Sequence, residues 1–201
     1  INVNYRYLDD ELRYLLDNAD AEAVVFHSSL GDRIARVAGG LPKLKLLVEV
    51  DDGPAPDGTT HVDGAVRYDE LLAAHEPLAR REPDGSEIYM LYTGGTTGMP
   101  KGVMYPLSEF TGFFVKGYPS MIGLPALGSA DDLLAAVEAS RDSNPLVAMS
   151  GPPLMHGTGA FTTFAVLSSG GCVVLLPSRH FDPEELLDQV EAKGVNAIAI
   201  V

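Results

Sequence analysis

The 201-residue chain contains no tryptophan and only one cysteine, Cys172. A single cysteine cannot form an internal disulfide, so the sequence excludes a small disulfide-stabilised fold, and we expect a reducing, cytoplasmic compartment. Cys172 lies in the apolar run Gly-Cys-Val-Val-Leu-Leu, which predicts a buried strand position. No apolar run reaches the ~18 residues of a membrane-spanning helix, so any membrane contact is expected to be peripheral.

Positive charge is also scarce. Fourteen Lys and Arg stand against 28 Asp and Glu, which gives a formal net charge of −14. Such a field repels phosphodiester backbones, so we expect no nucleic-acid partner and small molecules as ligands. The acidic excess lies on both sides of residues 87–130, which hold only two acids and two bases. An anionic ligand therefore meets the least repulsion in this middle stretch.

The hydrophobic pattern predicts an α/β fold, with mostly parallel sheets flanked by helices. Apolar residues make up 46% of the chain and charged residues 21%, as in ordinary globular proteins. Short apolar runs alternate with helical patterns, which is typical of βαβ units. The predicted strands are 23–26, 45–50, 88–92, 146–149, 172–176 and 195–201, and the predicted helices are 29–38, 68–75, 107–115, 130–139, 161–167 and 183–192. Leu8, Leu12, Leu15 and Leu16 predict one further helix with a buried stripe. Residues 118–145 are interpreted as an insertion around one small helix.

The most informative stretch is 92–103, Tyr-Thr-Gly-Gly-Thr-Thr-Gly-Met-Pro-Lys-Gly-Val. Four glycines within nine positions allow the backbone N–H groups to approach a ligand, and three threonines and a lysine add donors and a positive charge. This composition directly after a strand predicts a phosphate-binding loop. The Walker pattern does not fit, because Pro100 precedes Lys101 and Gly102 follows it. Gly157-Thr158-Gly159 also lacks the third glycine of a dinucleotide fingerprint.

The 92–103 stretch resembles the Y-T-[SG]-G-[ST]-T-G-x-P-K-G-V signature of the adenylate-forming superfamily, the AMP-binding enzymes. The resemblance implies that this stretch holds the phosphates of ATP, together with Mg²⁺. Gly94 stands where many members have serine, so we expect fewer side-chain contacts with the phosphates. The residues assigned to ATP in this way are Thr93, Gly94, Gly95, Thr96, Thr97, Gly98 and Lys101.

A second resemblance lies at 152–157, Pro-Pro-Leu-Met-His-Gly, which is similar to the superfamily motif beside the carboxylate substrate. It implies that His156 and Gly157 bind the acid. The stretch at residues 3–16 looks like the corresponding part of fatty acyl-CoA ligases. The implied reaction joins a fatty or bulky apolar acid to AMP with release of pyrophosphate, and coenzyme A then displaces AMP. Open alternatives are another adenylate-forming enzyme, such as an aryl-CoA ligase or an adenylation domain, and a non-catalytic nucleotide- or acyl-binding module.

The resemblance also implies that residues 1–201 are an incomplete segment of the large N-terminal domain, without the small C-terminal domain. The superfamily's Y-G-x-[TS]-E stretch, ribose-binding Asp motif and C-terminal Lys do not occur in the chain. We therefore expect no catalytic residue in this segment and no activity of the segment alone. The apolar strand at 195–201 is expected to leave an edge that favours self-association. No G-x-S-x-G elbow supports a serine hydrolase, and no His or Cys spacing predicts a metal site.

Overall fold

The computed structural model describes residues 1–58, 61–95, 98–117, 127–140, 145–176, 178 and 180–200. The chain divides into two compact units, which we describe separately. The N-terminal unit comprises Val3–Glu82 and Gly94–Pro100, and the C-terminal unit comprises Ile1–Asn2, Pro83–Thr93 and Lys101–Val201. None of the helices in the described part of the chain has the length and apolar composition needed to cross a bilayer.

The N-terminal unit is built on a three-stranded parallel sheet with the order β1-β2-β3. Val25 of β1 pairs with Val48 of β2, and Val48 pairs with Val66 of β3. Helices α1 and α2 pack against each other, and α3 packs against β2 and β3. The elements are α1 Asp9–Asn18, β1 Ala23–His27, a 3₁₀ turn Ser28–Leu30, α2 Gly31–Ala38, β2 Leu46–Val50, β3 Val66–Arg67 and α3 Tyr68–Ala74.

Helix α1 follows from its sequence pattern. Leu12, Leu15 and Leu16 are buried, and three acids occupy the first turn, where the helix dipole stabilises negative charge. The expectation that Leu8 belongs to the buried stripe is wrong, because Leu8 is 67% exposed. Its backbone is extended and precedes the helix, so its side chain does not follow the helical spacing.

Asp52 joins the end of β2 to the beginning of the next helical segment. Its carboxylate accepts hydrogen bonds from the Ser29 backbone N–H at 2.8 Å, the Ser29 hydroxyl at 2.7 Å and the Ser28 hydroxyl at 3.2 Å. Burial alone would raise the pKa of Asp52, but these hydrogen bonds and the nearby His27 outweigh it and lower the pKa below the ordinary value. The ionised carboxylate therefore stabilises the start of the 3₁₀ turn.

The C-terminal unit contains a second parallel sheet with the order β7-β6-β8. Helix α6 packs against β6 and β7. Together with the N-terminal unit, this arrangement confirms the predicted α/β class with parallel sheets flanked by helices. The elements are β4 Ile88–Gly95, β5 Gly98–Pro106, α4 Leu107–Gly112, a π turn Phe113–Gly117, α5 Ala130–Ser140, β6 Val147–Ser150, α6 Gly157–Ser168, β7 Cys172–Val174, α7 Pro183–Lys193 and β8 Ala197–Ala199, with the tip of β4 and β5 counted in the N-terminal unit.

The segment after residue 92 is a strand pair rather than a long loop, which corrects the sequence prediction. β4 continues to Gly95 and pairs with β5 as a two-stranded sheet. Strands joined by only two residues run antiparallel. The glycines and prolines of 98–106 argued against a strand. At Gly102, however, a Cβ would lie 3.0 Å from Met90 Sδ and 3.1 Å from the Tyr92 ring, so side chains of β4 cover this glycine from across the pair.

Cys172 is exposed rather than buried, because it is the first residue of β7, a short strand at one side of its sheet.

The proposed insertion at 118–145 lies partly outside the described residues, since 118–126 and 141–144 are not described. The predicted helix within it is present as α5.

Candidate functional site

An aromatic cluster in the C-terminal unit joins the β4–β5 pair to helices α4 and α6. The ring of Tyr89 stacks on Phe110 with 4.6 Å between centroids and meets Phe164 edge-on at 5.7 Å. The ring of Tyr105 meets Phe161 edge-on, also at 5.7 Å. Burial, and then the nearby Tyr105, raise the pKa of the Tyr89 hydroxyl. One face of the strand pair, the face that carries Tyr89 and Tyr105, is therefore fixed against α6.

The beginning of α6 lies against the same face. Leu91, two residues after Tyr89, is 2% exposed. A Cβ placed on Gly157 would come within 3.0 Å of Leu91 Cδ2, closer than most real Cβ contacts. A glycine at the first position of α6 therefore allows the helix to begin directly beside β4. We call this face of β4 and β5 the α6-facing side.

Strand alternation places two predicted ATP-binding residues on the α6-facing side. Side chains two residues apart on a strand share a face. Thr93 is two residues after Leu91 on β4, and Lys101 is four residues before Tyr105 on β5. Both therefore belong to the side on which Gly157 lies. Thr93 and Lys101 thus share, by strand alternation, the face of the pair against which Gly157 lies.

Lys101 carries a charge that is available to a ligand. Its side chain is exposed, and within the described residues it has no hydrogen-bond or ion-pair partner. Glu87, one of the two acids in residues 87–130, instead accepts hydrogen bonds from the Asp84 and Gly85 backbone N–H groups. The ammonium group can therefore interact with an anion without first breaking an internal salt bridge.

The tip of the strand pair, Gly94–Pro100, belongs to the N-terminal unit. The glycines of this tip leave its backbone accessible. Gly98 has φ of +151°, a conformation that residues with a side chain rarely adopt. At Gly94 and Gly98, a Cβ would meet no atom of the described residues within 4 Å. Gly95 ends β4, while Thr96 and Thr97 lie outside the described residues. The open surroundings of Gly94 and Gly98 suit close approach by a bulky anion.

His156 lies immediately before α6, and its side chain is exposed. Its carbonyl accepts the first helical hydrogen bond, from the Ala160 N–H at 2.9 Å. The His156 side chain does not cap the helix, and the first turn contains no acid. The backbone N–H groups in the first turn of this 12-residue helix therefore receive no hydrogen bond from the His156 side chain or from an acid in that turn. The helix dipole favours a negative charge at this end. A carboxylate or a phosphate fits such an end.

The turn before His156 is held by contacts that sequence reasoning did not identify. The Ser150 hydroxyl donates to the Pro152 carbonyl at 3.0 Å, and the Gly159 carbonyl lies 3.4 Å from the same hydroxyl. A Cβ on Gly159 would lie 2.4 Å from both the Pro152 and Pro153 carbonyl oxygens. In the sequence, Gly157-Thr158-Gly159 matches only an incomplete dinucleotide fingerprint, and nothing in this pattern indicates the contact.

Other titratable groups are held in the N-terminal unit. Glu49 is buried, and its carboxylate lies 2.5 Å from His61 Nδ1 and 3.9 Å from Arg67 Nε. Across the described ranges, no three or more His, Cys, Asp or Glu side chains form a group that could hold a metal ion.

Comparison with known proteins identifies the family of the chain. The chain matches the AMP-binding enzyme family over residues 1–201. It is 35% identical to the medium-chain acyl-CoA ligase Mig of Mycobacterium avium, over all of this chain and 36% of that protein. It is also 35% identical to the 3-oxocholest-4-en-26-oate–CoA ligase of Rhodococcus rhodochrous, over all of this chain and 35% of that protein. ATP-bound MatB from Rhodopseudomonas palustris has 25% identity and a TM-score of 0.59, over 94% of this chain and 32% of that structure. The chain thus spans about a third of the length of these proteins.

Proposed function

The chain belongs to the AMP-binding enzyme family, and we propose that it supplies the ATP-phosphate-binding part of an AMP-forming acyl-CoA ligase. In the proposed reaction, a carboxylate oxygen attacks the α-phosphorus of ATP, which gives acyl-AMP and releases pyrophosphate. The thiol of coenzyme A then attacks the acyl carbon, which gives the thioester and releases AMP. ATP, Mg²⁺ and coenzyme A are the small molecules that this function requires.

The observation that carries the proposal is the shared position of Thr93, Lys101 and Gly157. The two ATP-binding candidates lie on the α6-facing side of the strand pair, and the acid-binding candidate lies against that side. Adenylation needs the carboxylate and the nucleotide phosphates in one place, because much of the rate acceleration comes from positioning. A phosphate-binding strand pair beside an uncapped helix N-terminus meets this need.

We assign the phosphates to the residues of the strand pair. Lys101 supplies a positive charge, worth about 4 kcal/mol against a negative charge ~4 Å away at an effective dielectric constant near 20. Thr93 supplies a hydroxyl, and the remaining assigned residues, Gly94, Gly95, Thr96, Thr97 and Gly98, supply backbone N–H groups and hydroxyls. These donors oppose the charge that develops on the pyrophosphate as it leaves.

The acid is assigned to the beginning of α6. His156 offers an imidazole, and the uncapped N–H groups of the first turn, which begins at Gly157, favour a carboxylate. In this reaction the carboxylate must approach the negatively charged phosphates of ATP. Further acidic side chains nearby would repel both ligands. Residues 87–130 contain only two acids, and Glu87 already accepts two backbone hydrogen bonds.

Mg²⁺ has no residue assigned to it. Protein-bound Mg²⁺ commonly uses one or two carboxylates together with substrate phosphates, and the described residues contain no group of three or more His, Cys, Asp or Glu side chains that would hold the ion without ATP. We therefore propose that the ion is held mainly by the phosphates of ATP, where it neutralises charge.

The acid is proposed to be a fatty or similarly bulky apolar acid. The names of the two relatives support this choice, since one acts on medium-chain acids and the other on a sterol side-chain acid. We further propose that residues 1–201 are part of a larger N-terminal domain and that the catalytic residues and a small C-terminal domain lie in other parts of the enzyme. A cytoplasmic location fits the lone cysteine and the use of ATP and coenzyme A.

The test is acid-dependent ATP–pyrophosphate exchange and thioester formation by the full-length protein. The acids are octanoate, palmitate, a sterol side-chain acid, benzoate and an amino acid. We expect exchange with one or more of the apolar acids and their conversion to thioesters. His156→Ala should lower kcat/KM for the acid at least tenfold, whereas His180→Ala, an exposed histidine outside the site, should change it less than twofold.

The alternatives give different results. Preference for benzoate or the amino acid would indicate an aryl-CoA ligase or an adenylation enzyme. ATP binding without exchange for any acid would overturn the ligase proposal and favour a non-catalytic binding module. If kcat/KM for the acid falls equally in His156→Ala and His180→Ala, His156 is not part of the acid-binding site.

A further inference from the structure

The turn that carries His156 is fixed by two residues that lie outside the assigned binding motifs. Ser150 ends β6, and Gly159 is in the first turn of α6. Between them, residues 151–156 form a compact connection. The Gly151 N–H donates to the Ala199 carbonyl of β8 at 3.0 Å, which anchors the start of the connection to the sheet.

Ser150 holds the middle of this connection. Its hydroxyl donates to the Pro152 carbonyl at 3.0 Å, and the Gly159 carbonyl is within 3.4 Å. Neither Pro152 nor Pro153 has a backbone N–H, so the segment has few hydrogen bonds of its own with which to hold a conformation. A side-chain donor at position 150 supplies one of them.

Gly159 allows the same segment to lie against the helix. A Cβ at this position would come within 2.4 Å of both proline carbonyl oxygens, so every other residue type would push the segment away. The Pro153 carbonyl also accepts the His156 N–H at 3.0 Å. The carbonyl that fixes the backbone of His156 is therefore itself in contact with Gly159.

We propose that Ser150 is a positioning residue for His156, acting through the Pro152 carbonyl and the contact of the turn with Gly159. The inference rests on the proposed function, in which His156 meets the acid. It extends that function by naming a residue that does not touch the substrate. The effect should fall on acid binding, because the turn carries His156 and not the residues assigned to ATP.

The experiment compares three variants of the full-length protein: Ser150→Ala, Ser150→Thr and Ser169→Ala. Ser169 is the matched control, because its hydroxyl also bonds a backbone carbonyl, that of Ala165 at 2.9 Å, but at the far end of α6. We expect Ser150→Ala to raise the apparent KM for the acid about tenfold, with the KM for ATP within twofold of wild type. Ser150→Thr keeps the hydroxyl and should restore the acid KM to within threefold.

A second readout does not depend on activity. The imidazole NMR signals of His156, assigned with His156→Gln, should shift in Ser150→Ala and stay unchanged in Ser169→Ala. If the wild-type protein shows no acid-dependent exchange but the His156 signals respond to Ser150→Ala alone, the ligase proposal fails and the positioning holds. If Ser150→Ala changes neither the His156 signals nor the KM for the acid, the inference is overturned. It is also overturned if Ser169→Ala changes both as much as Ser150→Ala does.

Discussion

Gly157, the first residue of α6, lies directly against Leu91 of β4, with 3.0 Å between an idealised Gly157 Cβ and Leu91 Cδ2. This contact joins the acid-binding candidate to the strand that leads into the phosphate-binding candidates. It also explains why a poor helix former begins this helix. Any side chain at position 157 must displace Leu91 or move the helix.

Gly157→Ala should therefore impair the site by moving these two elements apart. We expect kcat/KM for the acid to fall about fivefold or more in the full-length protein. Leu91→Val removes the δ carbons that meet the new methyl group, so Gly157→Ala/Leu91→Val should recover most of the loss. Pyrophosphate exchange measures the effect, with Leu91→Val alone as the control. A double variant as impaired as Gly157→Ala would show that this contact does not set the position of the helix.

Lys101→Ala removes the charge assigned to the ATP phosphates. Because Lys101 has no partner in the described part of the chain, its loss should leave folding nearly unchanged and act on ATP alone. We expect a tenfold or larger rise in the apparent KM for ATP or an equivalent fall in the exchange rate, with acid binding within twofold of wild type. Lys193→Ala is the control, since Lys193 is an exposed lysine at the end of α7. An ATP–pyrophosphate exchange rate of Lys101→Ala equal to that of the wild-type protein would show that Lys101 does not bind the ATP phosphates.

The sequence predicts the parallel strands and most helices because their apolar spacing is strong, as in α1 with Leu12 and Leu15. It misses β3, which has only two residues, and β5, whose glycines and prolines disfavour a strand. It also predicts α6 from residue 161 instead of 157, because glycines at 157 and 159 lower helix propensity. Those glycines are required by contacts with Leu91 and the Pro-Pro segment, which a local pattern does not contain.

The candidate site follows from the sequence only in part. Thr93, Lys101 and His156 stand in motifs that resemble those of the adenylate-forming superfamily, and this resemblance assigns them their proposed chemistry. The role of Ser150 depends on carbonyls of Pro152 and Gly159, which come together only when β6, the turn and α6 are folded. Supporting residues of this kind carry no local signal.

Asp52 should make the start of α2 sensitive to acid. Its pKa is lowered in the folded state by hydrogen bonds from Ser28 and Ser29, despite the opposing effect of burial. A lowered pKa means that the carboxylate stabilises the fold above its unfolded pKa of about 4, and that this stabilisation is lost as the pH falls through the folded value. The ionised form is thus the stabilising one at neutral pH.

We therefore expect Asp52→Asn to accelerate hydrogen exchange of residues 28–38 about fivefold to tenfold at pH 7, a loss of roughly 1 kcal/mol. The ratio of variant to wild-type exchange should decrease toward one as the pH falls below about 4 and through the lowered pKa of Asp52. Asp63→Asn, at an exposed aspartate, should change exchange little at any of these pH values. A ratio that stays constant as the pH falls from 7 to below about 4 would show that the charge of Asp52 does not contribute.

The 201-residue chain alone should neither form acyl-CoA nor stay monomeric at high concentration. Its resemblance to the adenylate-forming superfamily implies that adenylation also needs glutamate, aspartate and lysine motifs that the chain does not contain. The resemblance implies that these groups act on the same transition state as the one proposed for Lys101, so the strand pair without them would lack most of the positioning. Turnover by the chain above background, assayed beside the full-length protein, would contradict this expectation.

Self-association is expected at β8, which lies at one side of the β7-β6-β8 sheet in the described part of the chain. Ile198 is 42% exposed and Ile200 is 78% exposed, so this edge combines free backbone groups with apolar side chains. Sedimentation of the chain should show concentration-dependent association that Ile200→Lys weakens, because a charge at a strand edge opposes pairing. Leu78→Lys introduces the same charge at a residue that is 97% exposed in the N-terminal unit and should leave the association unchanged. Equal weakening by both variants would point to net charge, and a monomer at all concentrations would show that the edge does not drive association.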